Sequence, residues 1–216
     1  MITKKLDLKK LEKSYYYPKD FEVIKFSSRN YILVAGEGAP SEPAFQQAIG
    51  ALYCVAYMIS MSYRNPEFTI SHFEPFVVPP LEGLWTSQNA PIEGRVKKEE
   101  LIWQLMIRMP DFVTAEVVQT AKNLVFEKKK QEVSGVRFVA MADGLCLQTI
   151  HQGTYDNEGK TFAKMEAFAK QNGLTPIYKA FHHREIYLSD FRKTAPERLK
   201  TVLRLFVNEE REDEKN

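Results

Sequence analysis

Apolar and aromatic positions fall in short alternating runs broken by glycine and proline, and between these runs lie longer stretches with helical spacing. The first twenty residues are Lys-rich and carry Tyr15-Tyr16-Tyr17-Pro18, which predicts a short helix and an extended entry segment. Strands are predicted at Phe21 to Phe26 and Tyr31 to Ala35. Gly36-Glu37-Gly38-Ala39-Pro40 then breaks the chain, and Ser41, with Pro43 behind it, suits a helix start. That helix runs from Pro43 to Tyr63 and is apolar nearly all round, so it is expected to be heavily buried, the stripe Tyr53, Tyr57, Met58 and Met61 included. Asn65-Pro66 ends it. Strands are expected next around Phe73 to Trp85 and at Leu101 to Met109.

A helix follows within Asp111 to Glu132, capped by Thr114, with Val117, Ala121, Leu124 and Val125 as its apolar stripe. The same grammar then returns: strands at Val136 to Met141 and Leu145 to His151, a helix from Gly159 to Gln171, and strands at Tyr178 to Leu188 and Leu199 to Val207. The order strand, strand, helix, strand, strand occurs twice, which predicts an internal duplication at the level of elements. The expected fold class is α+β: one domain over residues 1–207 made of two pseudo-symmetric halves, about 20–110 and 136–207, joined by a helix. Two such units would form a curved antiparallel sheet with helices on one side and a central ligand cleft. The charged stretch 208–216 is expected to be a disordered tail.

Within the strand Phe181 to Leu188, alternation places Phe181, His183, Glu185 and Tyr187 on one side, and His182, Arg184, Ile186 and Leu188 on the other. A half-buried carboxylate among apolar neighbours is suited to proton transfer, and a phenol two residues away can donate to developing negative charge. An edge strand with its polar face in water would give the same pattern. The corresponding strand of the first half carries Glu82-Gly83-Leu84-Trp85, so a pseudo-twofold would bring two carboxylates and two large aromatics toward one cavity. Each of these residues also has a structural explanation. Trp85 and Trp103 suit core packing. Glu82 beside a glycine turn suits bonding to local amides, and His151 near Gly153 suits a carbonyl partner.

Composition narrows the choice. The 216 residues hold 44% hydrophobic and 12% aromatic side chains, enough for a core without metal or disulfide staples. Thirty Lys and Arg against 28 Asp and Glu leave a formal charge of +2 with no basic stripe, so nucleic acid is not an expected partner. Lys128-Lys129-Lys130 reads as a solvated helix end. Cys54 and Cys146 lack metal-ligand spacing and read as free thiols in a reducing compartment. Gly36-Glu37-Gly38 fails the dinucleotide spacing. No cofactor, no metal and no membrane association is expected, and the chain reads as cytoplasmic.

Several long segments, in order, carry a resemblance: Val78-Pro79-Pro80-Leu81-Glu82-Gly83-Leu84-Trp85, Trp103 to Phe112, Gly144 to Asp156, and His183-Arg184-Glu185-Ile186-Tyr187-Leu188-Ser189-Asp190. From about Leu6 to Val207 the chain resembles the GyrI-like small-molecule-binding proteins, which are related to the effector-binding domains of MerR-type multidrug regulators. The resemblance implies the duplicated fold and a pocket lined by aromatic residues. It further implies the stand-alone type that hydrolyses planar cyclopropanoid DNA-alkylating compounds, a detoxification activity. On that basis Glu185 and Tyr187 are the expected catalytic residues. Trp85, Trp103, Tyr155, Phe181, His183, His151, Glu82, Tyr57 and Met106 are the expected substrate-binding set, with planar aromatic small molecules as partners. Phe191 stands where the family usually has proline. A non-catalytic protein that sequesters lipophilic, often cationic, drugs is the alternative, since a carboxylate among aromatic rings attracts such cations too.

Overall fold

The computed structural model describes residues 5–89, 96–178 and 180–209. In chain order its elements are α1 (Leu8–Leu11), α2 (Lys13–Tyr16), β1 (Glu22–Phe26), β2 (Arg29–Glu37), α3 (Pro43–Ser60), β3 (Leu81–Ser87), β4 (Leu101–Met109) and α4 (Ala115–Lys129). They continue with β5 (Arg137–Met141), β6 (Gly144–Gln152), α5 (Glu158–Gln171), β7 (Leu174–Pro176), β8 (His183–Tyr187) and β9 (Lys200–Glu209). The fold class is α+β with antiparallel strand pairing, as expected. Among the described residues no helix is long and apolar enough to cross a membrane.

The chain forms two compact units, one of residues 1–11, 28–83 and 87–141, the other of 12–27, 84–86 and 142–216. β1 belongs to the second unit, where it pairs with β6, and so do Leu84–Thr86 of β3; β5 belongs to the first, where it pairs with β2.

In the first unit β2 lies between β4 and β5. Helix α3 begins with Pro43 in its first turn and buries Phe45, Ala48, Leu52, Val55, Ala56 and Ile59. Two expectations change here. Ser41 does not cap α3: Glu42 occupies the cap position, and its carboxylate accepts from the Ala39 amide at 3.2 Å. The helix is also not buried all round, because Tyr57 is exposed and stacks on Tyr53 with ring centroids 6.0 Å apart. The strand expected from Phe73 begins only at Leu81, since Pro75, Pro79 and Pro80 remove the donors a ladder needs. That stretch makes a single parallel bridge instead, between Leu6 and Phe76. Helix α4 is capped as expected, the Thr114 hydroxyl accepting from the Val117 amide at 3.4 Å.

In the second unit β6 and β8 flank β9, and β7 adds three residues beside the end of β9. The expected strand from Tyr178 is confined to His183–Tyr187. The short β7 follows Gly173, whose positive φ of 65° turns the chain out of α5. Asn208 and Glu209, placed in the tail by sequence, complete β9 opposite Thr175 and Leu174; the rest of that stretch lies outside the described residues. Helix α5 packs Met165 and Ala169 onto Leu147, Leu203 and Leu205, with Phe162, Phe168 and Phe21 around them.

Candidate functional site

The second unit is organised by the faces of its strands. Glu185 pairs with Leu203, and Leu203 lies in the core under α5, so His183, Glu185 and Tyr187 share that face. Arg184 and Ile186 point the other way. There Arg184 donates to the Asp143 carboxylate at 2.6 Å, and Arg204, its cross-strand neighbour, donates to the other oxygen at 2.6 Å. The Arg204 guanidinium sits between the faces of Tyr15 and Phe26, 4.3 and 4.1 Å from their centroids, and also donates to Gln148 at 2.9 Å. Burial would raise the Asp143 carboxyl, but the two guanidiniums outweigh it and hold it below the ordinary carboxylate range. A one-residue slip of β8 would exchange Arg184 for Glu185, so this ion cluster fixes the register that turns Glu185 inward.

Glu185 is 8% exposed. His183 Nε2 lies 2.9 Å from its Oε1, and the His183 ring packs against Phe162 at 4.7 Å. The Trp85 indole N–H donates to the Tyr187 hydroxyl at 2.9 Å. An indole can only donate, so the single phenolic proton of Tyr187 is directed to Glu185, with which it is hydrogen-bonded. Burial, followed by the charge of Glu185, pushes the Tyr187 phenol well above its ordinary value. Tyr155, in the turn that precedes α5, stands edge-on to Tyr187 at 5.9 Å. Burial and the charge of Glu185 push its phenol up to about 12.

Sequence reasoning missed Glu158, the first residue of α5. It is buried and hydrogen-bonded to Glu185; burial first, then the charge of Glu185, pushes its carboxyl up to about 10. It therefore holds a proton at neutral pH and donates it to Glu185. The signal lay in the spacing 158, 162, 165, 169: a carboxyl occupies the first position of the apolar stripe completed by Phe162, Met165 and Ala169.

Trp85 is 5% exposed, its carbonyl accepts from the His182 amide at 2.8 Å, and burial lowers the His182 imidazole below its ordinary value. Phe181 is half-buried just before β8. His151 is buried, with Nδ1 2.8 Å from the Thr161 hydroxyl and Nε2 3.1 Å from the Thr154 carbonyl. Nε2 therefore donates to the carbonyl and Nδ1 pairs with the hydroxyl, a structural arrangement. The first unit holds the remaining expected residues. Glu82 and Met106 are fully buried, Tyr57 is exposed on α3, and Trp103 packs edge-on to Phe45 at 5.2 Å. The structure thus brings Glu185, Tyr187, His183, Trp85 and Tyr155 together and adds Glu158 and Phe162.

A buried carboxyl pair that shares a proton, set beside aromatic rings, is chemically suited to holding or exchanging a proton. Comparisons with known proteins agree with small-molecule binding. A search of curated proteins finds no match. Among solved structures, a hydrolase from Listeria innocua is 38% identical, with 94% of this chain and all of that one covered and a TM-score of 0.87. An uncharacterized conserved protein from Listeria innocua is 39% identical over 94% of this chain and all of the other, with a TM-score of 0.88. The EcmrR C-terminal domain shares the fold alone, at 14% identity over 88% of this chain and 98% of that one, with a TM-score of 0.53. The family profile described as the GyrI-like small molecule binding domain matches residues 19–207, and the chain belongs to that family.

Proposed function

We propose that this protein is a hydrolase of planar, hydrophobic cyclopropanoid alkylating compounds, with Glu185 as the base that activates water. The observation that carries the reading is the setting of Glu185, 8% exposed, held by His183 and Tyr187 and backed by the protonated Glu158. The 38% identity to a Listeria innocua hydrolase agrees with it.

In such a substrate a strained cyclopropane is conjugated to a dienone. Water attacks the ring methylene and gives its proton to Glu185. The ring carbon–carbon bond breaks, and its electron pair moves into the ring system as the carbonyl becomes a phenolate. The Tyr187 proton is committed to Glu185, so Tyr187 acts here by orienting the base, and Tyr155 is the phenol placed to meet the substrate oxygen. Trp85, Tyr155 and Phe181 supply aromatic surface on which the planar body stacks. The test is product analysis with a cyclopropanoid alkylator. The ring-opened alcohol should form, and Glu185→Gln should reduce its rate by roughly 10²- to 10⁴-fold while folding and ligand binding persist. Stoichiometric protection without product would establish the sequestering role instead, and an unchanged rate in the variant would remove Glu185 from the chemistry.

A further inference from the structure

The proposed step gives Glu158 no proton to move, although it is buried beside Glu185. Among the described residues the groups that act on its charge are Glu185 and Asp156, both carboxyls rather than cations. Its Oε1 is buried with no protein partner among the described residues, while the carboxyl is hydrogen-bonded to Glu185. A phenolate leaves without a full proton, so opening a cyclopropyl dienone makes little demand on a neutral carboxylic acid at this place. Two carboxyl groups that share one proton are, in contrast, suited to a reaction in which water loses a proton as a poorly stabilised oxygen gains one.

We propose that Glu158 is the general acid of a carboxyl pair that hydrolyses aryl-substituted epoxides in the same site. The inference rests on the reading of Glu185 as the group that activates water. In the step, Glu185 takes a proton from water, whose oxygen bonds to the benzylic carbon. The carbon–oxygen bond breaks with its electron pair on oxygen, and Glu158, whose hydroxyl turns from Glu185 to the epoxide oxygen once Glu185 has gained the water proton, delivers its proton there. The product is a vicinal diol, and the proton gained by Glu185 passes along the hydrogen bond to Glu158, which restores the pair. The aryl group would stack as the planar substrate does, on Trp85 and Tyr155, and the aromatic ring stabilises charge at the carbon under attack. The titratable groups that interact with Glu158 are Asp156 and Tyr155 ahead of α5 and Glu185 and Tyr187 on β8; His183 reaches this cluster through Glu185.

The test uses the full chain with styrene oxide and trans-stilbene oxide in oxygen-18 water, alongside a cyclopropanoid alkylator. The diol should appear carrying one labelled oxygen, at least about 100-fold faster than in buffer. Glu158→Gln should lose that acceleration without any fall in melting temperature, and Glu158→Asp should recover part of it. The wild-type epoxide rate should hold through neutral pH and fall as pH climbs toward 10, where the acid gives up its proton. Cyclopropanoid opening without diol would overturn this inference and leave the proposed function standing. Diol formation without cyclopropanoid opening would support the inference and remove the proposed substrate. No turnover of either would overturn both. An epoxide rate equal in Glu158→Gln and wild type would overturn the acid role.

Discussion

At the scale of single residues, the chemistry depends on how one carboxylate is held. Tyr187 accepts from Trp85 and donates its own hydrogen bond to Glu185, so its hydroxyl links an indole wall to the base. Tyr187→Phe removes the hydroxyl that accepts from the Trp85 N–H and donates to Glu185 while keeping the ring. Loss of a buried hydrogen-bond partner costs about 1–3 kcal/mol, so the variant should melt lower and turn over substrate more slowly without losing stacking affinity; calorimetry with kcat and KM measured separately checks this. Strand parity alone showed that His183, Glu185 and Tyr187 share a face, because the side-chain period of a strand is fixed. The Trp85 contact was not legible, since it joins positions about a hundred apart through a hydrogen bond that no pattern encodes. Glu158 escaped because a carboxylate in the first turn of a helix ordinarily has a sufficient explanation in the helix dipole. Only its place on the stripe with Phe162 and Met165 marks it as inward.

At the scale of elements, runs with strong periodicity were read correctly and prolines explain the errors. β4 spans the residues expected, and α4 is capped by Thr114 as expected. The stretch Phe73 to Pro80 has the apolar content of a strand, but its three prolines deny it a ladder. The burial of α3 was overread, because aromatic content raises apparent hydrophobicity even where one tyrosine of a stacked pair, Tyr57, faces water. One close approach was invisible in sequence: Gly36 on β2 stands opposite Trp103 on β4, and a Cβ there would fall 2.2 Å from the indole. The ring lies on bare backbone, wedged by Phe45. Gly36→Ala must displace Trp103 or bend β2, and overpacking of this kind costs about 1–3 kcal/mol, which denaturant unfolding should record as a lower midpoint. The glycine break read at 36–40 was therefore a packing requirement at Gly36 and a turn only at Gly38, whose φ is 97°.

At the scale of the whole molecule, two buried carboxyl groups set opposite limbs of stability against pH. Asp143 has its folded pKa depressed by Arg184 and Arg204, so its contribution is fully present above the ordinary carboxylate value and is lost as pH falls through the depressed one. Glu158 has its folded pKa raised to about 10, so the folded chain carries a proton that the unfolded chain releases near 4.5. Folding then takes up a proton across that interval, and stability declines as pH rises from the ordinary carboxylate range toward 10. The phenol of Tyr155, raised to about 12, acts only at still higher pH. The two carboxyl effects together place maximal stability in the mildly acidic range. Asp143→Asn leaves two buried guanidiniums without their anion and should cost about 3–5 kcal/mol, removing most of the acid limb with it. Glu158→Gln keeps a hydrogen-bond donor toward Glu185 and cannot ionise, so its melting temperature should match wild type near pH 5 and exceed it increasingly toward pH 9. Thermal melts of both variants across pH decide the matter: an alkaline decline as steep in Glu158→Gln as in wild type would show that the shared proton does not reside on Glu158.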